Sequence, residues 1–326
     1  YEIHERLVGS EMCIRDRVYG FFFSFIAVMF RAFYVSTTNT KILTANSVVM
    51  VLTNVVLNYI LIFGKFGFPA LGIAGAAIAS SISEAVSVLF FVIYTWKKID
   101  YKKYGLFRFT RVDFRMLGQI LSVSIWVMIQ HGIAFGGWFI FFIAMEHLGE
   151  RPLAITNVVR SISSFLFMFV NAFASTNSSL VSNLIGAGES DRVLPLCRRM
   201  IGLCYAFVLP IGILIAMFPS TVLRIYTDNP DLIASSIPSL WVMLSSYLFA
   251  VPGFIYFFSV SGTGNTRRAL EIDMASIFVY VLYILYVAVW LRADVAVCWT
   301  TEYVYNIMIL SSFFYLWKGN WRNKKI

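Results

Sequence analysis

Nine apolar runs, each long enough to cross a bilayer, follow one another along this 326-residue chain. They lie at about 18–36, 42–63, 70–96, 116–146, 152–186, 197–218, 232–259, 269–291 and 295–317. A membrane-spanning helix needs about 20 predominantly apolar residues. Inside lipid, backbone N–H and C=O groups must be satisfied without water, which only helices and closed barrels achieve. The runs lack the strict alternation of barrel strands. They therefore predict an all-α polytopic membrane protein with no room for a soluble domain. Composition agrees, with 59% hydrophobic and 13% charged residues, where soluble domains carry about 25% charged residues.

The net charge of +9 would suggest nucleic acid in a soluble protein, but here it reports orientation. Loops on one side hold Lys41, the seven basic residues of 97–115, Arg192, Arg198, Arg199, Arg267, Arg268, Lys318, Arg322, Lys324 and Lys325. Loops on the other side hold only Lys65, Arg151, Arg224 and Arg292. Positive residues accumulate on the cytoplasmic side, so the C-terminus is expected in the cytoplasm and no nucleic-acid partner is expected. Segment 97–115 reads as a linker between two helix bundles, either resting on anionic headgroups or simply solvated. The four cysteines, Cys13, Cys197, Cys204 and Cys298, have neither metal nor redox spacing and imply no disulfide framework.

Residues 1–17 (YEIHERLVGSEMCIRDR) carry seven charges and no apolar period. They form neither a signal peptide nor a span. The string VGSEMCIRDR resembles translated sequencing-adapter read-through; the other reading is a short polar tail.

An internal repeat is legible. Thr37-Thr38-Asn39-Thr40-Lys41 and Thr263-Gly264-Asn265-Thr266-Arg267 share the pattern T-x-N-T-basic, each at a cytoplasmic turn that opens a helix. The Asn-Thr pairs are expected to cap those helices. Glu84 follows in a Ser/Thr-rich stretch after the first motif, and Glu302 in another after the second. Both copies enter from the same side, which makes a parallel repeat.

Ionisable groups inside a membrane are costly and mark functional candidates. Glu84 lies near the middle of its span, and Glu302 about 10 Å into its own at 1.5 Å per residue. Arg160 lies at a depth similar to Glu302, so the two are placed to pair, either as a gate or proton relay or as a structural ion pair. Along 152–186, Asn157, Arg160, Ser161, Ser164, Asn171, Ser175, Ser178 and Ser182 each lie three, four or seven residues from another of the set. That makes one polar face, expected to line a cavity or pack on a neighbour. Glu271 and Asp273 follow Arg267 and Arg268 closely and are expected to neutralise a helix start.

Four stretches carry a family resemblance: 52–62 (LTNVVLNYILI), 67–80 (GFPALGIAGAAIAS), 177–188 (NSSLVSNLIGAG) and 260–267 (VSGTGNTR). On these the chain resembles the multidrug and toxic compound extrusion (MATE) family of efflux transporters, over residues 18–326. The resemblance implies two six-helix lobes around a central cavity, of which nine of twelve helices are present. It divides the chain into the non-native 1–17, an N-lobe remainder at 18–96, the linker 97–115 and a C-lobe at 116–326. Three spans would then precede residue 18, in a protein of about 400–450 residues at about 20–25 residues per span plus loops.

The resemblance also implies an antiporter in the plasma membrane, a bacterial inner membrane, exporting amphipathic or cationic compounds against a proton or sodium gradient. The chain would act as a monomer, with small molecules and membrane lipid as its partners. No cofactor, metal or enzymatic activity is implied beyond the coupling ion. One cation site of the family pairs Asn with Asp four residues apart on the fifth span, with a hydroxyl on the sixth. Asn54, Asn58 and Ser80 stand at those places, but Asn58 cannot ionise. Another uses acids on the seventh and tenth spans, where this chain has Ala134 and Ala250. Gln130 and His131 lie close by, and His131 is a candidate proton site because imidazole titrates near neutral pH. The alternative is a neutral, hydrogen-bonded histidine. Trp138 is the best candidate aromatic contact for a drug. The main alternative function is a lipid-linked oligosaccharide flippase of the same superfamily, whose cavity should be strongly basic. A membrane enzyme is disfavoured, because no HExxH or Gly-x-Ser-x-Gly motif occurs.

Overall fold

A computed structural model describes residues 20–37, 39–99, 113–319 and 321. Residues 1–17, and residues 100–112 of the linker, lie outside the described residues, as does Cys13. Among the described residues all regular structure is helical. Seven helices are long and apolar enough to cross a membrane, and an eighth, Gly20–Ser36, is apolar but shorter. The chain separates into two compact units, Tyr1–Arg111 and Val112–Ile326.

The described part of the first unit holds α1 (Gly20–Ser36), α2 (Lys41–Phe63) and α3 (Gly72–Lys98). α2 ends at Gly64, whose φ of +64° suits a residue without a Cβ. The chain then turns back, and Leu71 N–H donates to the Leu61 carbonyl at 2.9 Å. A Cβ on Gly75 would stand 2.6 Å from that same carbonyl oxygen, so this glycine lets α3 press directly on the α2 backbone. At the other end, Tyr34 of α1 stacks on Phe91 of α3, with ring centroids 5.7 Å apart, and shares a 2.6 Å hydrogen bond with Thr95.

The second unit holds α4 (Phe114–Leu148), α5 (Glu150–Gly186), a 3-10 turn (Ser190–Arg192), α6 (Val193–Met217), the short α7 (Pro219–Leu223), α8 (Pro230–Gly262) and α9 (Thr266–Ile284). A π-helical segment (Leu285–Trp290) extends α9, and α10 (Val295–Cys298), α11 (Thr301–Leu310) and α12 (Ser312–Lys318) follow. Asp113 caps α4 by accepting from Arg115 N–H at 2.9 Å and Met116 N–H at 3.3 Å. Asn229 caps α8 in the same way, through Asp231 and Leu232. Both are ordinary N-cap chemistry.

α8 is the hub of this unit. Buried residues make up 56% of its most apolar stretch, the largest share among the seven long helices, and it packs on α5, α6, α9, α11 and α12. Two glycines allow that closeness. A Cβ on Gly262 would meet the Ser178 carbonyl oxygen of α5 at 2.5 Å, and one on Gly253 would meet the Asn306 carbonyl oxygen of α11 at 3.1 Å.

Two details are added here. The ninth run is not one uninterrupted helix: turns at 299–300 and at Ser311, whose residues keep right-handed helical dihedrals, divide it into α10, α11 and α12. Thr300 Oγ1 donates to the Val297 carbonyl at 2.5 Å and Thr301 Oγ1 to that of Cys298 at 2.6 Å; such back-bonding by hydroxyls bends helices. The repeated Asn-Thr pairs also do not cap their helices through their side chains. The Asn265 amide instead donates to the Tyr315 hydroxyl at 2.7 Å, tying the α8–α9 turn to α12.

Candidate functional site

Each unit carries its own polar assembly. In the first, α2 and α3 are joined by a ladder of amides and hydroxyls. Asn46 donates to Ser87 Oγ at 2.8 Å, and Asn54 to Ser83 at 3.2 Å and Ser80 at 3.4 Å. Asn58 donates to Asn54 Oδ1 at 2.9 Å. The structure thus brings Asn54 and Asn58 together, as their spacing predicts, with Ser80 beside them, as the family resemblance implies, and adds Ser83. The amide N–H groups are used within the ladder, while the side-chain carbonyl oxygens of Asn46 and Asn58 are buried without a hydrogen-bond partner. Glu84, half-buried, lies on the same helix; a Cβ on Gly20 of α1 would stand 2.6 Å from its carboxylate oxygen.

In the second unit the polar groups converge between α4, α8, α9 and α11. Asp273 of α9 is 2% exposed. It accepts a hydrogen bond from the Tyr305 hydroxyl of α11 at 3.0 Å and one from the Gln130 side chain of α4. Glu302 stands three residues before Tyr305, on the same side of α11, and interacts electrostatically with Tyr305, Tyr280 and Tyr247. It lies in the first turn of α11, where the helix dipole favours negative charge. The turn just before it stays hydrogen-bonded, with the Glu302 N–H donating to the Trp299 carbonyl at 3.1 Å and the Tyr303 N–H to that of Thr300 at 3.0 Å. Tyr247 of α8 in turn donates to the Ser163 carbonyl of α5 at 2.7 Å. The result is two hydrogen-bonded groups, Gln130–Asp273–Tyr305 across α4, α9 and α11, and Tyr247–Ser163 across α8 and α5.

Sequence position alone misjudged part of this. Asp273 does not neutralise a helix start: it is seven residues into α9 and buried, whereas exposed Glu271 makes the ion pairs, at 3.4 Å to Arg267 and 2.5 Å to Arg268. The expected Arg160–Glu302 pair is not made: Arg160 is exposed and its guanidinium lies 4.9 Å above the Phe142 ring. The signal for Asp273 was present in sequence. Thr266, Ala269, Leu270, Asp273, Ser276, Ile277 and Tyr280 recur at steps of three or four or their sum, and all are buried.

The remaining candidates fall outside the network. His131 is exposed, although Gln130 beside it is buried. Asn157, Ser164, Asn171 and Ser175 are exposed on α5, so the polar stripe is a face left open rather than packed. Ser178 and Ser182, at its end, instead pack on α8, with Ser182 Oγ donating to the Gly262 carbonyl at 2.8 Å. Trp138 is 37% exposed and lies edge-on to Phe141 at 6.0 Å. No group of three His, Cys, Asp or Glu that could hold a metal ion occurs among the described residues. Cys197, Cys204 and Cys298 are free and buried.

The two copies of the repeat can be set side by side. In the first, Asn46 lies seven residues after Asn39 and bonds Ser87, three after Glu84. In the second, Asp273 lies eight residues after Asn265 and bonds Tyr305, three after Glu302. Glu84 meets Gly20, 19 residues before Asn39, and Glu302 meets the field of Tyr247, 18 before Asn265.

Helices of this length and apolarity, with buried polar assemblies and no strand among the described residues, define an integral membrane protein of the polytopic helical class. Residues 127–289 match the MatE family model, and the chain belongs to that family. It is 29% identical over 239 residues to the probable multidrug resistance protein NorM of Thermotoga maritima, covering 72% of this chain and 50% of that protein. It is 26% identical over 220 residues to the probable multidrug resistance protein NorM of Photorhabdus laumondii, covering 66% and 47%. The chain spans about half the length of these curated relatives. Among solved structures, a mutant of the Vibrio cholerae MATE transporter VcmN matches with TM-score 0.81 at 16% identity, over 95% of this chain and 70% of that one. A MATE structure in the bent conformation matches with TM-score 0.77 at 17% identity, over 94% and 68%.

Proposed function

We propose that this chain forms part of a multidrug efflux transporter. It would exchange protons or sodium ions for amphipathic or cationic compounds by alternating access in a bacterial inner membrane, with its C-terminus in the cytoplasm. The observation that carries this reading is the MatE match over 127–289, together with relatives named as probable multidrug resistance proteins. The open polar face of α5 supports it as a surface over which a solvated compound can pass. Asp273 and Glu302 support coupling to a cation, and the ladder of Asn54, Asn58 and Ser80 and exposed His131 are further candidates. The flippase reading would require a strongly basic interior, whereas the buried polar network of the second unit holds acids, amides and hydroxyls.

The test is accumulation of a fluorescent cationic drug in cells expressing the full-length protein, with proton and sodium gradients imposed separately. Accumulation should fall when the protein is present and recover when one gradient is collapsed. Equal accumulation with and without the protein, under both gradients, rejects the reading.

A further inference from the structure

We propose that Arg160, seated on the aromatic pair Phe142 and Trp138, is a binding site for the carboxylate end of an amphipathic organic anion. This narrows the substrate class of the proposed transporter, and it rests on that reading only for the export of what binds.

Charge carries the argument. Residues 116–145 of α4 and 152–186 of α5 hold a single permanently charged side chain, Arg160. Its guanidinium lies 4.9 Å above the Phe142 ring, and the Phe142 ring lies 6.3 Å from that of Trp138, four residues earlier on α4. A ring attracts the cation but neither neutralises it nor accepts its N–H groups as a carboxylate would. Among the described residues Arg160 forms no ion pair. A cation held among apolar helices is costly until it meets an anion. A carboxylate matches the guanidinium fork with two parallel, charge-assisted hydrogen bonds. An organic cation would find no carboxylate along these two stretches.

The shape of the face is an independent observation. Asn157, Ser164, Asn171 and Ser175 are exposed on α5 together with Arg160. From 157 to 175 the helix rises about 27 Å at 1.5 Å per residue, nearly the ~30 Å of hydrocarbon in a bilayer. A polar stripe of that length is not turned to lipid, which separates Arg160 from an arginine that merely reaches toward phospholipid headgroups. Asn157 and Ser164 stand about one turn to either side of it, so an amide and a hydroxyl flank the fork. The apolar part of the ligand is served by α4, where Trp138 is 37% exposed. Aromatic surface beside a guanidinium suits a planar acid, one end apolar and the other anionic.

Equilibrium dialysis with the purified full-length protein in phosphatidylcholine nanodiscs tests this with three probes of similar shape: naphthaleneacetate, naphthaleneacetamide and naphthylmethylammonium. The wild type should bind the acetate about tenfold more tightly than the amide, and the ammonium least. Arg160→Gln should erase that ratio while amide binding stays at the wild-type level. Equal binding of the three probes by the wild type, or a preference for the ammonium, overturns the proposal without any variant. A ratio retained in Arg160→Gln overturns it equally. If Arg160→Gln does not fold, Arg160→Lys, which keeps the charge and loses the fork, must lower the ratio; an unchanged ratio overturns the proposal. Trp138→Ala should weaken acetate and amide alike, and unaltered binding of both would overturn it too, since the aromatic pair is half of the site. Loss of the preference when phosphatidylglycerol replaces part of the phosphatidylcholine would give the site to a lipid headgroup and overturn the choice of occupant. Gradient-driven export of a cationic dye with no acetate preference in binding defeats the site and leaves the transport reading intact. An acetate preference that Arg160→Gln removes, without gradient-driven export of any compound, defeats the transport reading and leaves the site.

Discussion

Asp273 and Glu271 lie two residues apart and do opposite things. About half a turn of helix separates a carboxylate that is exposed beside two arginines from one that is sealed between α4, α9 and α11. Removing each should therefore differ sharply. Asp273→Ala leaves Tyr305 and Gln130 without their acceptor, which should cost about 1–3 kcal/mol; Glu271→Ala should stay within about 0.5 kcal/mol of wild type. Thermal unfolding in detergent would show the difference, and equal midpoints would contradict the burial assigned to Asp273. Glycines offer a second contrast. Gly262→Ala forces a methyl group toward a carbonyl that its Cβ would meet at 2.5 Å, and should lose about 1–3 kcal/mol by overpacking. Gly132→Ala, with nothing within 4 Å, should cost nothing measurable by the same assay.

At the scale of helices, the long spans were legible because lipid leaves a chain no other choice: an apolar run of sufficient length must hydrogen-bond to itself. Spacing also served for the α2–α3 ladder, since residues four apart share a helix face and Asn54 and Asn58 had to lie together. What spacing could not reveal was how a helix ends within an apolar run. The break before α11 depends on where Thr300 and Thr301 turn their hydroxyls, and on Tyr283 of α9 meeting Thr300 at 2.8 Å. Asp273 was misjudged for a related reason: proximity in sequence to Arg267 outweighed a buried stripe that only the period of the helix discloses. The ladder itself should be a modest contributor. Asn54→Leu is expected to destabilise by about 0.6 kcal/mol, the average for polar contacts between membrane helices. A loss several times larger, measured by unfolding, would mean that the amides do more than hold two helices together.

For the molecule as a whole, the bias of basic loops predicts orientation, and the buried native cysteines of the described residues make it measurable. In intact cells, a cysteine placed at Lys318 should resist an impermeant maleimide added outside, and one placed at Lys65 should react. The opposite pattern would invert the proposed topology. The repeat has a further use at this scale. One unit joins its helices through Asn46 and Ser87 and the other through Asp273 and Tyr305, a neutral polar contact in the first and an ionisable one in the second.

The contact at Gly262 carries one more consequence. Two backbones that touch without room for a methyl group can neither slide nor roll past each other, so α5 and α8 behave as a single welded beam. Displacement within the second unit would then concentrate where hydrogen bonding is already irregular, along the π-helical stretch 285–290 and the broken run 295–317. Glu302 stands within that broken run, in the first turn of α11.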